Sequence, residues 1–207
     1  MVARGIVAGR EPILVADVQQ CTSEPTLPGA QLFVSSDGGK TWQKRGPAIE
    51  GAAIVYAQER HDGWWLAGLR MVEGPGTDPF VLVPDAAPPW WTLHTVHEGP
   101  ADLRRVARDG DGGVLMWIRH IVVGDERWRG ALHLHRSRDG GRTWTDDGPR
   151  KESPAPPGAR DFARIARRTA SWRIADRADG GFDVQHRGSG GWQTTATFPW
   201  RACDPSP

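Results

Sequence analysis

Two eight-residue segments of this chain nearly coincide. Ser35-Ser36-Asp37-Gly38-Gly39-Lys40-Thr41-Trp42 and Ser137-Arg138-Asp139-Gly140-Gly141-Arg142-Thr143-Trp144 share six identities and one basic match. Both follow alternating runs, Gln31-Leu32-Phe33-Val34 and Leu132-His133-Leu134-His135. The chemistry is that of a hairpin turn. Asp tolerates turn conformations and accepts hydrogen bonds from nearby backbone N–H groups. A Gly pair supplies positive φ where a side chain would clash. Thr and Trp favour the return strand, and the indole offers a large area to a neighbouring sheet.

Degenerate copies lie between and after the two. Val81-Leu82-Val83-Pro84-Asp85 runs to Trp90, and Val184-Gln185-His186-Arg187 runs through a Gly-rich turn to Trp192. Trp42, Trp90, Trp144 and Trp192 stand 48, 54 and 48 residues apart. Gly46-Pro47, Gly99-Pro100 and Gly148-Pro149 each close a repeat. A period of about 50 residues with about four short strands per repeat predicts a small β-propeller. The expected blades are residues 1–47, 48–100, 101–149 and 150–207 of a single domain, the last opening on a strand over 162–168. Residues 101–108 and 159–168 are the two stretches with some helical character, but Gly and Pro bracket both.

Composition agrees with many turns and narrows the partners. There are 26 Gly and 17 Pro in 207 residues, spread along the chain. Lys plus Arg number 26 against 25 Asp plus Glu, which argues against a nucleic-acid partner. No apolar run reaches the roughly 20 residues that span a bilayer, so no membrane partner is expected. No apolar leader opens the chain, and a cytoplasmic location is expected unless a leader was removed.

The Ser-x-Asp-x-Gly-x-Thr-Trp pattern at 35–42 and 137–144 resembles the Asp box, or bacterial neuraminidase repeat. The resemblance implies an all-β propeller in which each Asp box joins strands C and D of a blade. Relatives with this repeat include sialidases, xyloglucanases, sortilin-type receptors and photosystem assembly factors. The resemblance therefore specifies the hairpin and says little about activity. Relatives mostly have six or more blades, so a ring completed by a second copy of this chain is an alternative to closure within one chain. The resemblance also implies structural roles for Ser35, Asp37, Gly39, Thr41 and Trp42, and for Ser137, Asp139, Gly141, Thr143 and Trp144.

Two function classes remain. The sialidase-like reading, a glycoside hydrolase with carboxylates near the propeller axis, needs a Tyr nucleophile with a Glu partner. Tyr56 is the only Tyr, and Glu59 is three residues on, which on one strand points to the opposite face. No carboxylate pair can be assigned, no catalytic residue is named, and enzymatic activity is left open. The binding reading leads: a non-catalytic module for a glycan, peptide, protein or anionic ligand. Long irregular connections carry binding groups more readily than committed C–D turns. The expected ligand face therefore carries the B–C and D–A loops, opposite the Asp boxes. Arg104, Arg119, Glu126, Trp128, Arg129 and Arg160 are the ligand-binding candidates there.

Three further groups are weighed. His133 and His135 share a strand face at a spacing that suits two metal ligands, but no third ligand follows at a telling spacing. Asp109 and Asp111 with three Gly lack the further carboxylates of a calcium loop and read as a turn. No metal and no cofactor is therefore assigned. Cys21 and Cys203 stand either as separate thiols or as a disulfide between the first and last blades in an oxidising compartment.

Overall fold

The computed structural model describes residues 2–18, 29–71, 76–122, 130–151 and 156–199, and every named element among them is a β-strand. Strands β1 (Val2–Val7), β2 (Ile13–Val18), β3 (Gly29–Val34) and β4 (Gln43–Glu50) form one antiparallel meander. Strands β5 (Ala52–Arg60), β6 (Gly63–Met71), β7 (Thr77–Pro84) and β8 (Trp91–Thr95) form the second. Strands β9 (Ala101–Arg108), β10 (Val114–His120), β11 (Leu132–Ser137) and β12 (Thr145–Pro149) form the third. Two short strands, β13 (Arg160–Asp161) and β14 (Ala163–Arg164), precede a three-stranded sheet of β15 (Trp172–Asp176), β16 (Phe182–Gly188) and β17 (Gly191–Phe198). The helical character of 101–108 is overridden, because Leu103, Val106 and Ala107 bury as part of a strand.

The chain divides into two compact units, Met1–Ala52 with Arg164–Pro207, and Ala53–Ala163. In the first, Ala3, Ile6, Leu14 and Ala16 pack against Trp172, Ile174, Phe182 and Val184. In the second, Trp65, Ala67, Val81 and Val83 pack against Val106, Val114, Met116 and Ile118. The opposite face of the β9–β12 sheet has its own cluster of Ala107, Leu115, Trp117, Leu132 and Leu134.

The two full motifs are hairpins with one hydrogen-bond scheme. The Asp37 carboxylate accepts from the Lys40 N–H at 2.9 Å, the Thr41 N–H at 2.9 Å and the Thr41 hydroxyl at 2.7 Å. Asp139 accepts from the Arg142 N–H at 3.0 Å, the Thr143 N–H at 2.9 Å and the Thr143 hydroxyl at 2.5 Å. Ser35 and Ser137 hydroxyls donate to these carboxylates and accept from the Gly39 and Gly141 N–H groups. The Thr41 N–H holds the Asp37 carboxyl far below its usual range, and the Thr143 hydroxyl does the same for Asp139. The indole N–H groups of Trp42 and Trp144 donate to the Gly39 and Gly141 carbonyls. Each turn then rests on a Trp of the neighbouring sheet in its unit. A Cβ on Gly39 would lie 2.0 Å from the Trp172 ring, and Cβ atoms on Gly140 and Gly141 would lie 3.1 and 3.3 Å from Trp65. Trp42 meets Trp172 edge-to-face at 5.9 Å, an arrangement worth about 0.5–1.5 kcal/mol beyond burial.

Three expectations need correction. The strand over 162–168 meets the last sheet only at its end: Arg160–Asp161 pairs with β9, β14 lies in the β5–β8 sheet, and Arg167 and Arg168 reach β15, through the Ile174 N–H to the Arg167 carbonyl and a bridge to Arg173. Phe162 is the one large apolar side chain that this short stretch buries, and the open edge of β9 satisfies its backbone instead. In the second repeat, Trp90 sits in the turn with φ 77°, and β8 begins at Trp91. Asp85 there receives the Thr92 hydroxyl across a longer loop. Gly46-Pro47 does not close its repeat but lies inside β4, with Gly46 at positive φ where the register against β3 shifts; Gly148-Pro149 does end β12, with Gly148 at positive φ beside a register shift against β11. The first sheet accordingly runs on to Glu50. Cys21 and Cys203 lie outside the described residues.

The Gly39 geometry gives a direct test. Gly38→Ala meets open space and only the strain of φ 72°, about 1 kcal/mol. Gly39→Ala adds a clash with Trp172, and overpacking typically costs a further 1–3 kcal/mol or so. Urea denaturation should rank Gly39→Ala well below Gly38→Ala. Equal losses would show that the turn does not rest on Trp172.

Candidate functional site

The β9–β12 sheet has two distinct ends. At one, Val114 pairs with both Arg108 and Ser137, so the β9–β10 turn and the Asp139 hairpin lie together. At the other, Arg119 pairs with Asp102 and Leu132, and the His120 N–H donates to the Ala131 carbonyl. Strand periodicity then sorts the side chains. Leu132 and Leu134 enter the outer cluster, and His133 and His135 share the face of their cross-strand partners Ile118 and Met116. His120, two residues beyond Ile118, continues that row past the apolar core.

Four imidazoles and a carboxylate converge there. His97 arrives from the β8–β9 connection, which is tied down by the Gly99 N–H donating to Asp78 at 2.9 Å and the Ile121 N–H donating to the Pro100 carbonyl at 2.8 Å. The His97 and His133 rings stack on His120, each with centroids 3.9 Å away. His120 Nε2 lies 3.0 Å from His135 Nε2, and His135 is only 3% exposed. Asp146 reaches the group from β12. The Gly148 N–H donates to one of its oxygens at 2.7 Å, and His133 Nδ1 stands 2.8 Å from the other. The irregularity at Gly148 thus turns the Asp146 carboxylate back toward the histidines.

Burial, and then repulsion from His97, His133 and His135, push the His120 imidazolium down to about 4. Burial likewise lowers His97 and His135, although the Asp146 charge opposes it in both. Burial disfavours the Asp146 charge, but the Gly148 N–H and His133 outweigh it and hold this carboxyl below its usual range. At neutral pH His97, His120 and His135 are therefore uncharged, with lone pairs available, beside the Asp146 carboxylate. Donor atoms of His97, His120 and His135 all lie within 4.8 Å of one another, as do those of His120, His133 and Asp146.

The ligand-binding candidates scatter. Arg119 stands beside His120 at the expected loop end. Arg104 lies within β9 and pairs with Asp102 at 2.8 Å. Arg160 pairs with Arg108 and lines a cleft with Asp109 and Gly158, so it belongs to the end of the Asp139 hairpin rather than the loop end. The displaced strand β13 is the reason. Glu126, Trp128 and Arg129 lie outside the described residues. Asp109 takes the Gly113 N–H and an Arg136 contact, in keeping with a turn. His97 and His120 went unnoticed in the sequence. The signal for His120 was its place two residues after Ile118 in an alternating strand, while His97 required knowledge of the β8–β9 connection.

Depressed histidines make stability depend on pH in a defined window. The unfolded chain takes up these protons near pH 6.5 and the folded chain resists them until about pH 4 at His120. Stability is therefore fully present above 6.5 and falls between 6.5 and 4. The loss linked to Asp37 and Asp139 begins only below their ordinary 3.8. Urea midpoints of chelator-treated protein should fall through the upper window, and His120→Gln should flatten that slope. An unchanged slope would contradict the burial of a neutral His120.

No family model matches the chain, and no curated protein does. A crystal structure of a protein of unknown function from Dyadobacter fermentans DSM 18053 is similar, at 15% identity and a TM-score of 0.46 over 97% of this chain. The chain spans 64% of that protein's length.

Proposed function

We propose that this chain is a non-catalytic binding protein of the Asp-box propeller type, with its four sheets as blades, and that it takes its ligand at the loop end of the β9–β12 sheet. One observation carries the reading: the histidine cluster gathers at the end opposite the Asp139 hairpin. The division of labour between the two ends supports it. At the Asp-box end, the Asp carboxylates are occupied by their own turns. At the loop end, polar groups from four separate chain segments converge. The Tyr56 hydroxyl donates to the Arg104 carbonyl at 2.8 Å, which supports a structural role for it rather than that of a nucleophile.

The test is a screen of glycans, peptides, small anions and metal salts, repeated with variants at each end. Arg119→Ala and His120→Ala should weaken a hit at least about tenfold, as loss of a charge-assisted contact does. Lys40→Ala and Arg142→Ala, on the Asp-box turns, should bind normally. Loss of binding confined to the Asp-box variants would overturn the reading, as would turnover of any screened glycan.

A further inference from the structure

We propose that His97, His120 and His135 together ligate one divalent transition-metal ion of the zinc, cobalt or nickel kind. The inference rests on the reading that the loop-end cluster is the binding site and names its ligand. In a tetrahedral site, Zn–N bonds of about 2.0–2.1 Å place ligand nitrogens roughly 3.3–3.4 Å apart. His120 Nε2 and His135 Nε2 stand at 3.0 Å, so a small parting of the two rings admits the ion. A donor nitrogen of His97 lies within 4.8 Å of donor nitrogens of the other two; its ring now lies parallel on that of His120, so ligation requires the His97 ring to turn about its side-chain bonds until its lone pair meets the same point.

One divalent ion engages three imidazole lone pairs with a single charge centre, in a cluster where His135 is buried and His97 and His120 are half-buried. The surrounding field is negative: Asp146 acts on all three histidines, Asp78 and Glu98 on His97, and Asp147 on His135. An all-imidazole set selects borderline transition metals over calcium or magnesium, which prefer oxygen.

The overlapping group of His120, His133 and Asp146 is assigned a supporting role. His133 Nδ1 and Asp146 already form a 2.8 Å pair, and the Gly148 N–H fixes the other carboxylate oxygen. That unit stacks on His120 and supplies charge, as carboxylate–histidine pairs around metal sites do. His135 closes the site from within, while His97 and His120 are half-buried. The fourth coordination position faces their side, toward water or a donor from a further ligand.

Calorimetric titration of the chelator-treated full chain with ZnCl2, and with CoCl2 followed by visible absorption, tests the assignment. The expected result is one equivalent bound with a tetrahedral Co2+ spectrum, and no heat from MgCl2 or CaCl2. His97→Ala and His120→Ala should each weaken Zn2+ by more than about a hundredfold, and His133→Ala by about tenfold, the scale of a supporting partner. His61→Ala, exposed on the β5–β6 turn, should bind like the parent. Circular dichroism checks that each variant folds, and His97→Gln serves if His120→Ala does not. Absence of Zn2+ and Co2+ binding would overturn the site, as would parental affinity in folded His97 variants. Loss of binding in His133→Ala with retention in His97→Ala would place the ion on the other group and equally overturn it. If metal binding fails while a screened ligand still depends on His120, the metal assignment falls and the loop-end reading stands.

Discussion

The Asp37 and Asp139 turns each set a glycine edge against a tryptophan of the neighbouring sheet, and much of the structure follows from that contact. The Asp37 and Asp139 carboxylates draw two N–H groups and a hydroxyl into one tight turn. The tightening projects Gly39 and Gly141 outward with no Cβ, onto Trp172 and Trp65. Trp172 opens β15, the first strand of its sheet, and Trp65 lies on β6, the second strand of its own. The same relation therefore recurs in both compact units. It joins two sheets in each unit through a rigid polar turn and a flat aromatic wall.

This arrangement explains an excess of Trp that hairpin propensity alone does not. Trp42 and Trp144 cap their own turns through the indole N–H, and Trp65 and Trp172 receive the turns of others. It also commits one end of each sheet to structure. In the second unit, the opposite end of the β9–β12 sheet is left to side chains that the core does not need. Met116 and Ile118 bury, and the next residue in the row, His120, emerges where the core stops.

The hairpins were legible in the sequence because a turn of this kind has fixed chemistry at fixed spacing, with every partner of Asp37 inside eight residues. Most strands were legible from alternation and Gly punctuation. Gly46 misled because positive φ serves an irregularity inside a strand as well as a turn. The stretch at 160–164 misled because its pairing is decided by which sheet edge is open, a property of no local window. The histidine site was half legible. His133 and His135 showed their common face through period two, whereas His97 is brought in by a tertiary connection and His120 by cross-strand register. Asp146 depends on the irregularity at Gly148, so its approach to His133 has no counterpart in sequence spacing.

On the proposal above, the end of the β9–β12 sheet opposite the Asp139 hairpin is a metal-binding site rather than a packed group of polar side chains. A crystal soaked in Zn2+ and measured at the zinc absorption edge tests it most directly. The account predicts one anomalous peak about 2.0–2.1 Å from a ring nitrogen of each of His97, His120 and His135. A peak elsewhere on the chain, or none above background at the cluster, would contradict it.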